Sequence, residues 1–570
     1  MRTWCTCLAV ALFLSSSLGA RPATAADEFK PEGKWKLIFL VQDLDLVIFD
    51  VAAEDDAFKP KVVDSFQQLG KVDFKSFTAK AGEVTLAFQC ALDEIRFKGT
   101  AVTKGDDAGA VLGVIYLRGS PLPGRLEKTE SDKVAAPKPN PAQQKLIGAL
   151  QTKDPKEKVK KLEELVHEAP GPASQQAYTF LIQSADAAGL TEDQVRTHLS
   201  AWVEGAAPYG PEWVAQCRVG ALQGLHGKKA YARLALELAE QSRKELAKDA
   251  SLEQQAAVLQ ALAGAASLAG KVDLADRTET ELAVIDGKLD DEYHATVPPF
   301  KPEPFAGRES SAHDRVVLFE LFTGAQCPPC VAADVAFDAL LSTYKPTEFI
   351  ALQYHLHIPG PDPLTNPDAV SRSQYYSANS TPSTFFNGVA AARGGGGMPQ
   401  SKGKYDQFRQ EIDKQLAGPK SGKIELQLTR SGDKILVTAL ARAVSQDNAK
   451  DDAKEKSEPK LRLRVVLTEV SIRYVGGNRL RFHHHVVRGF PGGVEGKELE
   501  AGEGKVEVAI DLDQVRQGLT DYLDDFAKGS GFPAALPKIQ FKGLAVVAFV
   551  QDDADKRVLH AVQASVPESK

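Results

Sequence analysis

Cys327 and Cys330 are separated only by Pro328 and Pro329 in the stretch GAQCPPCVAADVAF, residues 324–337. Cysteines at this spacing can form a disulfide that opens and closes, supply half of a tetrahedral metal site, or act as a structural clip. Histidines offer a second kind of chemistry. His355 and His357 are two apart, and His483, His484 and His485 run consecutively in RFHHHVVRGF. Alternate residues of a strand share a face, so such pairs can meet Cu or Zn, with the cysteines completing the site. A Cys–His protease is a poor fit, because its nucleophile needs a base and no second cysteine.

The elements around the pair favour redox work. RVVLFELF is a continuous apolar run of strand length, which suits a buried central strand. TGAQ is the turn. Val331, Val335, Leu340 and Leu341 then mark a helical stripe. Cys327 is thus expected at a helix N-terminus, where the dipole and free N–H groups favour a thiolate. Pro328 and Pro329 lack N–H groups, so the amides of Cys330 and Val331 must serve it. Cys327 is expected to be exposed and to attack. Cys330, one turn on, is expected to be enclosed and to resolve the mixed disulfide.

The chain has 570 residues, too many for one core, and a net charge of −7. That charge implies no general affinity for nucleic acid. Arg2, the apolar run Leu8–Leu14 and Ala23-Thr24-Ala25 read as a cleaved signal peptide over residues 1–25. The run is too short to span a bilayer, and no other segment is long and apolar enough. A periplasmic or secreted location follows as an expectation. Cys90 and Cys217 read as small apolar core residues.

The expected architecture is multidomain α+β. Residues 27–120 alternate like an antiparallel β domain, and 119–144 read as a linker. Residues 141–292 carry short amphipathic helices, either a tetratricopeptide-like hairpin array or an irregular bundle. A Pro-rich linker covers 295–312. The cysteine domain spans 313–418, and 421–570 return to strands in a β-sandwich-like pattern.

The order strand–CxxC–helix, followed by NSTPSTFFNG at residues 379–388, resembles the thioredoxin superfamily over residues 313–418. The wider set ELFTGAQCPPC, YHLHIPGPDPLTNPD, STPSTFFNG and RYVGGNRLRFHHHVVRGFPGG looks like multidomain exported thioredoxin-like proteins of the planctomycete type. The resemblance implies an α/β domain in which Pro382 is the cis proline and Thr381 offers its backbone to an extended substrate. It implies that Glu320 is the buried acid that moves protons for Cys330. Two departures stand out: Gln326 replaces the usual aromatic before the first cysteine, and the segment before Pro382 is long. Asn387-Gly388 reads directly as a hairpin turn. The function expected is thiol–disulfide exchange on exported proteins, with no cofactor and with a protein partner for the helical array. Two alternatives stay open: a non-catalytic scaffold, and a copper or zinc carrier using the cysteines with His355 or His357.

Overall fold

The computed structural model describes residues 29–54, 57–91, 94–117, 120–138, 140–168, 171–248, 250–308, 314–418, 422–442, 459–529, 531–532 and 536–568. The expected leader lies outside them. The chain is mixed α and β and divides into two compact units, one ending at Ala221 and one beginning at Leu222.

In the first unit, eight strands are seen among the described residues. They are β1 (Gly33–Phe39), β2 (Leu44–Glu54), β3 (Ala57–Ser65), β4 (Asp73–Lys80), β5 (Glu83–Gln89), β6 (Glu94–Ala101), β7 (Val111–Leu117) and β8 (Ser120–Lys128). They form one sheet in the order β3-β2-β1-β8-β7-β6-β5-β4, every neighbour antiparallel. Trp35, Phe49, Phe88 and Phe97 fill its core. The strands run on to Lys128, into the segment expected as a linker. Pro121 and Pro123 disguise β8. They sit where β8 pairs only with β7, because β1 pairs from Gly124 onward, so their missing N–H groups leave no ladder bond unmade.

Helices follow: α1 (Pro141–Leu150), α2 (Pro155–Glu168), α3 (Pro172–Ala188), α4 (Glu192–Ala206) and α5 (Pro211–Leu225). Val159, Leu162 and Leu165 of α2 are buried along one stripe of the helix. Thr191 caps α4 in a reciprocal box with Gln194.

The second unit opens with α6 (Ala232–Lys244), α7 (Leu252–Leu268) and α8 (Val272–Thr296), each packed on the next. Then come β9 (Val317–Thr323), α9 (Val331–Thr343), β10 (Phe349–His355), α10 (Pro367–Tyr376), β11 (Ser383–Phe386), β12 (Val389–Ala390) and α11 (Ser401–Leu416). The chain continues through β13 (Lys423–Ser431), β14 (Lys434–Arg442), β15 (Leu461–Arg473), β16 (Phe482–Gly489), β17 (Lys497–Glu498), β18 (Gly504–Asp511), α12 (Leu512–Gly529), β19 (Leu544–Asp552) and β20 (Val558–Ser565).

The strands do not respect the boundary expected near residue 420. One sheet runs β12-β11-β9-β10-β16-β15-β19-β20, with β17 on β15. Its junction is β10 beside β16, which are parallel. Strands β13, β14 and β18 form a separate small sheet, whose Ile435, Val437 and Ala439 pack on Val465, Val546 and Ala548. Both β9 and β10 are buried at every residue, as their unbroken apolar runs require. Val317, Phe319 and Leu321 of β9 face α9 and α11, whereas Leu318 and Phe322 face the opposite layer with Tyr376 of α10. Among the described residues no helix is long and apolar enough to cross a membrane.

Candidate functional site

Strand β9 ends at Thr323 and the chain turns through Gly324–Gln326 into the cysteine pair. The Cys327 N–H donates to the Gly324 carbonyl at 3.0 Å. Pro328–Cys330 make one 3-10 turn before α9 begins at Val331. Cys327 and Cys330 are joined by a disulfide. The Cys330 N–H donates to the Cys327 carbonyl at 3.0 Å, and the Val331 N–H to Pro328. Both amides expected to support a Cys327 thiolate are thus already engaged by the turn.

Exposure also differs from expectation. Cys330 is fully buried, but Cys327 is only 1 % exposed. Thr381 lies against it: the hydroxyl is 3.3 Å and the carbonyl oxygen 3.8 Å from Cys327 Sγ. The Thr381–Pro382 peptide is cis. A groove of about 490 Å³ opens next to it, lined by Pro329, Thr381, Pro382, Arg393 and Gly395 among others. The Asn387-Gly388 turn has φ of 46° and 80°, the left-handed pair that a two-residue hairpin demands.

Glu320 lies elsewhere than beneath the cysteines. Strand alternation points it at α10, on the sheet face away from α9. There Arg372 Nε donates to its Oε1 at 2.8 Å and Arg372 Nη2 to its Oε2 at 3.0 Å. Tyr354 and Tyr376 donate their hydroxyls at 3.0 and 2.6 Å. Four donors hold this carboxylate, two of them from the Arg372 cation.

The acid on the cysteine side is Asp334. It is 2 % exposed and follows Cys330 by four residues, one turn along the same helix face. The Thr323 hydroxyl donates to it at 2.9 Å and the Gln353 amide at 3.1 Å. No cation balances it among the described residues. Burial therefore pushes its pKa well above the usual carboxylate range, against those two hydrogen bonds. An acid at this place is visible in VAADVAFDALL once the helix is phased from Cys330.

From Asp334 a buried polar chain runs on. The Gln353 carbonyl faces His355 Nε2 at 3.2 Å, and His355 Nδ1 faces Asp362 at 2.8 Å. Asp362 accepts the Ala325 N–H at 2.6 Å and the Leu364 N–H at 2.8 Å. Burial would lift Asp362, but His355 and these amides outweigh it and lower its pKa. His357 accepts the Asp362 N–H at Nδ1, 3.0 Å, and stacks on Phe526.

The histidine triplet divides its tasks. His483 packs edge-on to His355 at 4.8 Å and faces the Tyr474 carbonyl at 3.1 Å, and burial drops its pKa to about 3. His484 pairs with Asp338 at 2.8 Å. Burial opposes that charge, but Asp338 outweighs it and raises the pKa. Burial lowers His485 to about 4. Among the described residues no group of three His, Cys, Asp or Glu side chains is placed to hold a metal ion. Cys217 is buried, and burial pushes its thiol up to about 12.

No protein-family model matches this sequence. No curated protein matches it significantly. Among solved structures, HBP35 of Porphyromonas gingivalis superposes with a TM-score of 0.32 at 16 % identity, over 46 % of this chain and 78 % of that one. A superposition that loose does not bear on what the chain does.

Proposed function

We propose that this chain is a thiol–disulfide oxidoreductase acting on proteins of an exported compartment, through a thioredoxin-like arrangement around Cys327 and Cys330. The helices before it would be a tetratricopeptide-like array that recruits partners, and the outer β layers would hold that arrangement in place. One observation carries the reading: a disulfide at a strand–helix junction with the cis Thr381–Pro382 peptide within 3.8 Å of Cys327 Sγ and a groove beside it.

In this mechanism a substrate lies extended in the groove against Thr381 and Pro382. Its thiolate attacks Cys327 Sγ, the Cys327–Cys330 bond breaks, and the electron pair leaves on Cys330. Cys330 then takes a proton. Asp334 is the group we assign to supply it, in place of Glu320. Burial without a cation raises the Asp334 pKa well above the usual carboxylate range and favours its protonated form, while His355 and two backbone amides lower that of Asp362 at the other end of the polar chain. Two carboxyls with pKa values pushed apart make a donor and its counterpart. The metal-carrier reading loses support, since both ring nitrogens of His355 already face protein oxygens.

The test is capture. In Cys330→Ser the mixed disulfide at Cys327 cannot be resolved, so disulfide-linked partners should accumulate in the exported fraction, and Cys327→Ser should accumulate none. If Cys330→Ser captures nothing and the wild-type disulfide resists a dithiol until the protein is denatured, the pair is a clip and the scaffold reading replaces this one.

A further inference from the structure

Exchange requires a third sulfur in line with the Cys327–Cys330 bond, yet Cys327 is 1 % exposed, so part of its surroundings must yield. The turn Gly324–Gln326 that delivers Cys327 is held by the connection between β15 and β16. The Asn478 N–H donates to the Ala325 carbonyl at 2.9 Å, and the Gly477 N–H to Gln326 Oε1 at 2.9 Å. Asn478 Nδ2 reaches the Gly324 carbonyl at 3.4 Å. Gly476 presses so closely that a Cβ there would stand 2.2 Å from the Ala325 oxygen.

The two ends of that connection are fastened to α8. Arg473 pairs with Asp286 at 2.8 Å and with Asp290 at 2.7 Å, and Arg481 pairs with the same two at 3.0 and 2.6 Å. Asp286 and Asp290 are one turn apart on one helix face. Between the anchors, Leu480 packs on Val331 and Val335 in the first turn of α9, together with Tyr293 and Val297 at the end of α8. Four ion pairs and one apolar plug thus link the last helix before the cysteine segment to the turn before Cys327.

We infer that Asp286, Asp290, Arg473 and Arg481 are positioning residues for the redox pair: by pinning residues 474–481 they hold the Gly324–Gln326 turn in the conformation that covers Cys327. The inference rests on the redox reading above. With the clamp closed, an incoming thiolate is kept from Cys327 Sγ. With it released, the new S–S bond forms at Cys327, the old one breaks, and Cys330 leaves as the thiolate. Whatever moves α8 then changes the rate at which the disulfide exchanges.

The experiment measures opening of the disulfide in the oxidised full chain by dithiothreitol under native conditions, read by alkylation of the released thiols. The double variant Asp286→Asn/Asp290→Asn should open at least tenfold faster than wild type. Asp291→Asn, exposed on the same helix, should not change the rate. Exchanging the charges, with Asp286→Arg and Asp290→Arg combined with Arg473→Asp and Arg481→Asp, should return the rate to within about threefold of wild type. A double variant within twofold of a readily reduced wild type overturns the inference and leaves the redox reading standing. A charge-exchanged chain as fast as the double variant also overturns it, since general loosening would then explain the effect. If neither wild type nor double variant opens until denatured, both the inference and the redox reading fall.

Discussion

Asp334 and Glu320 are both buried carboxyls, and their surroundings treat them in opposite ways. Glu320 is matched by Arg372 in a fully buried pair. Removing one partner of such a pair leaves an uncompensated charge, so Arg372→Ala should lower unfolding free energy by about 3–5 kcal/mol in urea titration. Asp334 has no such partner and stays protonated in the native state above its ordinary value of 3.8. The native chain then binds more protons than the unfolded chain in the window between those two values. Stability contributed by this site therefore falls as pH rises through it. Asp334→Asn, which keeps partners for Thr323 and Gln353, should be more stable than wild type at about pH 8 and equal to it near about pH 4. Urea midpoints across pH check this. The same variant should slow release of Cys330, whereas Glu320→Gln should leave the pH profile of exchange unmoved. That Cys327 and Cys330 can join in a disulfide was legible from their spacing, and it was the resemblance that put Thr381 and Pro382 next to them. It set Glu320 beneath the cysteines because an apolar strand buried on both faces does not reveal which face a lone Glu takes. That is decided by Arg372 and Tyr376, which lie one helix away.

Elements were legible where local chemistry dictates geometry. The Asn387-Gly388 hairpin is an instance: both residues adopt positive φ, and a Cβ at Gly388 would stand 1.8 Å from the Lys556 carbonyl oxygen. Gly388→Ala should cost roughly 2–4 kcal/mol, from left-handed strain plus a backbone clash, measured as a lowered urea midpoint. The α4 cap at Thr191, just ahead of Glu192 and Asp193, is equally local in its chemistry. Strand β8 was not, because proline argues against a strand unless one flank is unpaired, and the reach of β1 cannot be read from β8 itself. The 3-10 turn at Pro328–Cys330 was likewise hidden, and it engages the amides that the pattern alone reserved for the Cys327 sulfur.

At the scale of the molecule, the boundary near residue 420 is a change of composition and not of packing. Tyr354, Phe322 and Leu352 share one core with Val487, Val547 and Phe549. Unbroken burial along β10 tells that it has neighbours on both sides, but not that one of them lies far along the chain. A fragment of residues 314–418 should therefore fail to fold, whereas 314–568 should give a cooperative transition; circular dichroism with urea separates the two outcomes. The failure should come from losing β16 and the apolar layer behind β10, since α9, α10 and α11 are all present in the shorter piece.

The place of β16 also sets an order of events in time. A chain that emerges N-terminus first makes Cys327 and Cys330 available well before residues 482–489, which border β10 and sit against His355, exist outside the ribosome. During that interval one flank of β10 is bare and the turn before Cys327 lacks its Asn478 and Gly477 partners. The newborn cysteine pair thus passes through an open form that the finished protein no longer presents, and closure of the sheet is the moment at which the turn before it is tied to the rest of the chain.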